Sequence, residues 1–179
     1  MYLKECSIIS MDIGISSKDI IEYTLNLKRE FLKKISFNIT KEFNDFGFIV
    51  NDCTPWNEKF LSFGDCMIFK IKKANDSLSN LHISLEFNNK KDKGIKCFVD
   101  EEDFKEEKIS KNVVTSFENL GFLNLGVRYS DVYIIRNTNM PSIVLKIDCD
   151  ILELERDKDG LISSLSKNLV KSIISSGTI

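Results

Sequence analysis

Proline and glycine are scarce in this chain, and no segment has the composition of a flexible linker. Only two prolines and eight glycines occur in 179 residues. No internal repeat and no Ser/Gly-rich segment separates one part of the chain from another. A chain of this length is enough for one domain with a substantial core. We therefore expect a single domain that spans residues 1–179.

Long apolar runs and a strong net charge are also absent. No apolar run approaches the ~20 residues that a membrane-spanning helix needs. The N-terminus has no charged start followed by a long apolar region, so we expect no signal peptide and a cytoplasmic protein. The formal net charge of −2 gives no general attraction to nucleic acid or to anionic lipid. We expect neither a membrane span nor a nucleic-acid partner.

Cysteine and histidine give no sign of a disulfide framework or of a histidine-rich metal site. Five cysteines at wide spacing are an odd set, and reduced, buried thiols fit a cytoplasmic compartment better than disulfides. The only histidine, His82, lies in an apolar segment, where a hydrogen-bonded strand histidine is the usual interpretation. A dyad of His82 with Cys149 would require that neighbouring strands align, and buried strand cysteines are usually inert.

The spacing of apolar residues predicts strands that alternate with helices. Within residues 19–46, an apolar stripe recurs every three or four positions and marks one face of a helix that ends at Gly47. The stripe consists of Leu32, Ile35, Ile39, Phe43 and Phe46. Further helices are predicted at residues 66–74, 101–120 and 161–173, and strands at residues 5–11, 48–50, 81–87, 94–99 and 143–147. This order predicts an α/β three-layer sandwich, with a largely parallel central sheet flanked by helices and ligand sites at the carboxyl ends of the strands.

Three segments follow the pattern of a known family. Residues 74–89 read ANDSLSNLHISLEFNN, residues 8–19 read IISMDIGISSKD, and residues 132–147 contain VYIIR followed by MPSIVLKI. These segments resemble the motifs ISIHANA, IVLDPGHGGKD and VLR…PAVLVEVGF of the zinc-dependent N-acetylmuramoyl-L-alanine amidases, the amidase_3 family of cell-wall turnover and phage lysis. The resemblance extends from about residue 8 to residue 174 and implies the amidase_3 fold.

The resemblance also implies a zinc site, and this chain departs from the family at three of its positions. Ile15 stands at the position of the first zinc-binding histidine, and Glu86 at that of the second. Lys146 stands at the position of the catalytic glutamate. The family's remaining zinc ligand, a glutamate at the start of a helix, maps to Glu22 or Glu30, and the spacing slightly favours Glu30.

These departures argue against zinc chemistry. In the family, two imidazoles and one carboxylate hold the ion with an open position, and a glutamate shuttles the proton. Ile15 has no donor atom, a pair of carboxylates suits Mg²⁺, Ca²⁺ or Mn²⁺ better than zinc, and a lysine repels any cation. We expect no zinc, no other cofactor and no catalytic residue. We predict instead that Lys146 replaces the ion, with its Nζ within about 4 Å of Glu86 or the helix glutamate.

The function that follows is an amidase-like domain without hydrolytic activity, which binds peptidoglycan fragments or a cell-wall or lysis protein. The setting, in the wall, in sporulation or in phage lysis, rests on the resemblance alone. The alternative is an active peptidoglycan amidase with a rewired metal site. Trp56, Phe60 and Phe63 form a possible platform for a sugar, although core packing is the commoner role. The candidates for the ligand groove are Gly14, Glu22, Glu30, Glu86, Asn88, Arg136 and Lys146.

Overall fold

Strands and helices alternate along the chain, as the apolar spacing predicts. The computed structural model describes residues 7–15, 22–101, 104–150, 156 and 160–177. The strands are β1 (Ile8–Ile15), β2 (Ile49–Asp52), β3 (Leu81–Asn89), β4 (Gly94–Val99), β5 (Leu123–Tyr129) and β6 (Ser142–Cys149). The helices are α1 (Glu22–Asp45), α2 (Phe63–Asp76), α3 (Phe104–Glu118), α4 (Tyr133–Asn137) and α5 (Gly160–Gly177).

All six strands form one sheet, in the order β2-β1-β3-β6-β4-β5. β1 pairs in parallel with β2 and β3, and β3 pairs in parallel with β6. β4 runs antiparallel to β6 and parallel to β5. The prediction of a largely parallel sheet is therefore confirmed. The two strands at one edge of the sheet, β4 and β5, run in the opposite direction to the other four. The carboxyl ends of β1, β3 and β6 meet at the same edge.

One face of the sheet carries the larger core. Alternate residues of the central strands, such as Met11 and Leu85, are fully buried there against α1, α3 and α5. The rings of Phe31 in α1 and Phe87 in β3 meet edge to face, with centroids 5.6 Å apart. The predicted stripe of α1 is buried through Phe43, but Phe46 is 41% exposed. Phe46 is exposed because α1 ends at Asp45, so this residue no longer follows the helical spacing.

The opposite face of the sheet carries a smaller apolar cluster and most of the buried polar groups. The cluster joins α2 and α4 to β6 and consists of Met67, Ile71, Ile134, Ile135 and Val144. Because side chains alternate along a strand, the residues of β1 and β3 on this face include Asp12 and His82. The three layers of the sandwich are thus helices, sheet and helices, as predicted.

The structure corrects several predicted boundaries. β1 continues to Ile15 and β3 to Asn89, because their polar residues lie on the face that α2 covers only in part. Gly47 and Gly121 follow helices with φ of 81° and 79°, which is the positive φ expected for a residue that ends a helix. β5 and α4 were not predicted, since β5 is an edge strand without a regular apolar pattern. No helix in the described ranges is long and apolar enough to cross a membrane.

The burial of α1 gives the first prediction. Phe43 is fully buried, and its ring lies 6.0 Å from that of Phe48. Phe43→Ala should lower the free energy of unfolding by about 3–5 kcal/mol, because it leaves a cavity in the core. Phe37 lies on the same helix and is 69% exposed, so Phe37→Ala is the matched control and should change stability by about 0.5 kcal/mol or less. Urea unfolding measures both changes, and equal losses would contradict this assignment of the core.

Candidate ligand-binding site

The parallel pairing of three strands brings polar residues into one row near the carboxyl edge of the sheet. Gly14 of β1 lies opposite Glu86 of β3, and Glu86 lies opposite Lys146 of β6. All three residues face the side of the sheet that carries α2 and α4. The row lies where parallel sheets bind ligands, outside the carboxyl ends of the strands. The structure therefore brings together three of the residues that the sequence singled out.

Glu86 and Lys146 form an ion pair at the centre of this row. Lys146 Nζ lies 2.9 Å from Glu86 Oε2, which confirms the predicted contact. The Glu86 side chain is 25% exposed and the Lys146 side chain is 32% exposed, so the pair is partly shielded from water but open to a ligand. Lys146 Nζ also lies 5.4 Å from the centre of the Phe98 ring. The carboxylate and the aromatic ring together hold the ammonium group in one place.

A second ion pair lies deeper on the same face. Lys70 of α2 reaches Asp12 of β1, with its Nζ 2.5 Å from Asp12 Oδ1. Lys70 passes close to Gly14, where a Cβ would lie 3.5 Å from the Lys70 Nζ, at ordinary contact distance. Burial alone would raise the pKa of Asp12, but the Lys70 ammonium and the hydrogen bond from His82 lower that pKa to about 2. Burial would lower the pKa of Lys70, and the Asp12 and Glu86 charges raise it above its usual value.

His82 joins this buried network and is a hydrogen-bonded strand histidine, as predicted. Its Nε2 donates to Asp12 Oδ2 at 3.1 Å, and its Nδ1 lies 2.9 Å from Ser10 Oγ. Ser10, His82 and Asp12 are thus linked in a chain, but the two ring nitrogens have exchanged the partners that they have in a Ser-His-Asp triad. All three are fully buried, so no substrate reaches the serine and the network is structural. Cys149 lies opposite Asn89 at the far end of β3, which excludes a dyad with His82.

Asn88 extends the row by one position. It lies opposite Asp148, and its side-chain amide donates to Asp148 Oδ1 at 2.6 Å. Lys90 reaches the other oxygen of Asp148 at 2.7 Å. Each carboxylate on this part of the sheet is therefore matched by a lysine. Asp148 and Lys90 were not among the predicted site residues.

Glu30, a predicted residue of the ligand groove, does not reach the ion pair. Glu30 is 75% exposed and its carboxylate lies 3.4 Å from Lys33 Nζ. It points away because the neighbouring Phe31 directs the apolar side of α1 into the core on the opposite face of the sheet. Glu22 begins α1 and Ile15 ends β1, but the side chains of both lie outside the part of the chain that the structure describes.

Arg136 lies at the wrong end of β6 to contact the row. It belongs to α4, which precedes β6, and it is ion-paired with Asp131. With Asp100 and Glu106 it lines a cavity of about 400 Å³ near the first residue of β6. Lys146 lies roughly 13 Å further along the strand. Arg136 is therefore an ion-paired surface residue, and its predicted place in the groove is wrong.

Trp56 and the cysteines take structural roles. The Trp56 ring packs against the larger core and donates from Nε1 to Asp52 Oδ2 at 2.9 Å. This favours core packing over a platform for a sugar. The four cysteines that the structure describes are free thiols. Burial raises the pKa of Cys53 and of Cys97 to about 12, so these thiols are not nucleophiles at neutral pH.

Two lysines of this face were missed by sequence reasoning. Lys70 lies on the buried side of α2 among Met67, Ile71 and Ala74. A lysine within an apolar helical stripe was the signal that a buried carboxylate would be its partner. Lys96 of β4 lies opposite Lys146, and no signal in the sequence gives this register. The antiparallel direction of β4 is what brings the two lysines together.

The residues present do not fit a zinc ion. Zinc sites in proteins use histidine, cysteine or carboxylate donors that are free to coordinate the metal. The only histidine is occupied by Ser10 and Asp12, and Glu86 is occupied by Lys146. Within the described ranges, no group of three histidine, cysteine, aspartate or glutamate residues is placed to hold a metal ion. The Lys146 ammonium group, 2.9 Å from the Glu86 carboxylate, also repels a cation.

Comparison with known proteins agrees with this fold. The sequence model of the Amidase_3 family, described as N-acetylmuramoyl-L-alanine amidase, matches residues 12–176. No curated protein sequence matches the chain. The catalytic domain of the CD27L endolysin, which targets Clostridia difficile, is similar with a TM-score of 0.74 at 17% identity, over 94% of this chain and 97% of that one.

Two further structures have the same fold. The amidase AmiC2 of Nostoc punctiforme has a TM-score of 0.68 at 12% identity, over 94% of this chain and 96% of that one. The CwlD amidase of Clostridioides difficile, in complex with the GerS lipoprotein, has a TM-score of 0.65 at 15% identity, over 95% of each chain. At these identities the structural matches establish the fold alone.

The ion pair of the row gives a second prediction. Lys146→Met leaves the partly buried Glu86 carboxylate without its cation. The loss of stability should therefore exceed the ~1 kcal/mol limit of an exposed pair and stay below the ~3–5 kcal/mol of a fully buried one. Lys72→Met removes a lysine that is 74% exposed and paired with Asp76, and should cost about 0.5 kcal/mol or less. Equal losses in urea unfolding would show that the Glu86 carboxylate does not depend on Lys146.

The buried Asp12 predicts an acid-dependent loss of stability. Because its pKa falls from 3.8 to about 2 on folding, its contribution is present above pH 4 and is lost as the pH falls toward 2. Between these pH values the wild type should lose about 2 kcal/mol more than Asp12→Asn. Asp76→Asn, at an exposed aspartate of α2, is the control and should follow the wild type. Parallel curves for the wild type and Asp12→Asn would contradict the role of Asp12.

Proposed function

This chain belongs to the N-acetylmuramoyl-L-alanine amidase family, and we propose that within the family it is a binding domain without zinc-dependent hydrolysis. The observation that carries the proposal is the ion pair of Lys146 with Glu86. By the resemblance, Lys146 occupies the position of the catalytic glutamate and Glu86 that of a zinc-binding histidine. The two positions lie side by side on β3 and β6. A lysine and a glutamate at such a distance neutralise one another.

The physical chemistry of hydrolysis supports this proposal. Zinc hydrolases need an ion with an open position that acidifies water, and a base that accepts the proton of that water. An ammonium group has no lone pair with which to accept a proton. Glu86 accepts a hydrogen bond from Lys146, so its binding of a cation would first require that the pair separate. Among the described residues of this face, we therefore find no group that is free to bind the metal and no carboxylate that is free to act as the base.

The ligand that we propose is a fragment of peptidoglycan. The row of Gly14, Glu86, Lys146, Asn88 and Asp148 presents charged and hydrogen-bonding groups at the edge where parallel sheets bind ligands. A domain with the amidase fold retains a surface whose shape derives from that of a peptidoglycan enzyme. The partly exposed Glu86 and Lys146 can contact the peptide or sugar groups of such a fragment.

A protein partner is the second candidate ligand. The CwlD amidase, which shares the fold, forms a complex with the GerS lipoprotein.

We also propose a cytoplasmic location, because the four described cysteines are free and three of them are buried. Peptidoglycan fragments or a cell-wall or lysis protein would meet the domain there. Titration with purified muropeptides separates these candidates, since a domain that binds only a protein gives no heat with them.

Zinc content and wall hydrolysis test the proposal. Protein purified without chelators should contain far less than one equivalent of zinc and should release no peptides from cell walls. The catalytic domain of the CD27L endolysin, with the same fold, is the positive control. Melting curves with zinc, manganese, calcium or EDTA should coincide, because an ion bound only to the native state would raise the melting temperature. One equivalent of tightly held metal, or lysis that EDTA abolishes, would instead support an active amidase with a rewired metal site.

A further inference from the structure

Two lysines lie side by side on the sheet next to the central ion pair. Lys96 of β4 is directly opposite Lys146 of β6 in the antiparallel pairing of these strands. Like charges directly opposite one another destabilise a sheet. Lys96 is half-buried, so water does not fully screen its charge. The arrangement therefore carries a cost that neither the fold nor the Glu86–Lys146 pair explains.

The charges of this face do not balance at Lys96. Three neighbouring lysines each pair with one carboxylate. The pairs are Lys70 with Asp12, Lys90 with Asp148, and Lys146 with Glu86. Lys96 has no carboxylate within ion-pair distance in the part of the chain that the structure describes, and its contact is the ring of Phe98. These four lysines and three carboxylates therefore leave one positive charge in excess. It belongs to Lys96 and lies beside Lys146.

Phe98 fixes the positions of both ammonium groups. Lys146 Nζ lies 5.4 Å from the centre of the Phe98 ring, and Lys96 Nζ lies 6.0 Å from it. Phe98 is itself held by packing against the apolar cluster of α2, α4 and β6. A ring attracts cations at its face, so one aromatic side chain contacts both ammonium groups before any ligand arrives. Such preorganisation lowers the entropy that a ligand must offset on binding.

We infer that Lys96 and Lys146, supported by Phe98, form a binding site for an oxyanion of the ligand. A carboxylate or phosphate placed between the two ammonium groups accepts charge-assisted hydrogen bonds and removes their repulsion. Glu86 offsets the charge of Lys146, so the site suits one anionic group. The inference deepens the proposed function, because it names the chemistry of the ligand at the same row. Carboxylates of a peptide and phosphates of a sugar or nucleotide share this chemistry.

Calorimetric titration with two small probes tests the site. N-acetyl-alanyl-glutamate supplies peptide carboxylates, and inorganic phosphate supplies the other oxyanion. The wild type should bind at least one probe saturably, and Lys96→Met should weaken that binding at least about tenfold, since a charged hydrogen bond is lost. Lys96→Arg keeps the charge and should retain most of the affinity. Lys72→Met, which removes an exposed lysine of α2, is the control and should bind as the wild type does.

Stability without a probe separates a binding lysine from a structural one. Lys96→Met relieves the repulsion with Lys146, so its melting temperature in anion-free buffer should equal or exceed that of the wild type. The wild type should then gain melting temperature with the bound probe, and Lys96→Met should not. Saturation by the peptide alone identifies a carboxylate ligand, and saturation by phosphate alone a phosphorylated one.

Two results would overturn the inference. One is the absence of saturable binding of either probe by the wild type, and the other is equal affinity in Lys96→Met and the wild type. The test uses neither cell walls nor metal. A protein that binds the probes but hydrolyses walls would therefore disprove only the absence of hydrolysis. A protein that does neither would disprove only the oxyanion site.

Discussion

A carboxylate that is partly withdrawn from water requires a cation nearby, and the polar face of this sheet is built around that requirement. The parallel register of β3 and β6 places Lys146 beside Glu86 with 2.9 Å between their charged atoms. The same rule explains Lys70 beside the fully buried Asp12. Uncompensated charge in such places is strongly unfavourable, so each of these carboxylates lies beside a lysine. Removal of either lysine leaves a carboxylate that water reaches only in part, at Glu86, or not at all, at Asp12.

The fold and the family chemistry depend on different faces of the sheet. The larger core joins α1, α3 and α5 to side chains such as Met11 and Leu85, on the face of the sheet opposite the polar row. A chain can therefore keep the amidase architecture while its row changes from metal ligands to ion pairs. Lys146 and Glu86 lie at adjacent positions of two strands, so a change at one position alters what the other can bind. Under the proposed function, the positions of a base and of a metal ligand would therefore have to change together.

Much of the fold followed from the sequence, and the site only in part. Most strands and most helices were predictable because apolar spacing and helix-ending glycines such as Gly47 are local signals. The contact of Lys146 with Glu86 followed from the family motifs. Glu30 was misplaced because it was chosen for its spacing in the family motif, and not for the side of the helix on which it lies. Lys96 was missed because strand direction depends on pairing between distant segments, which no local pattern encodes.

The coupling between Glu86 and Lys146 tests the central claim most directly. A double-mutant cycle with Glu86→Gln, Lys146→Met and the double variant isolates the interaction free energy of the pair. The structure predicts at least ~1 kcal/mol of favourable coupling, since the pair is more buried than an exposed one. The value should be the same with and without excess zinc. A coupling near zero, or one that zinc abolishes while it stabilises the wild type, would show that the ion pair does not take the place of the metal.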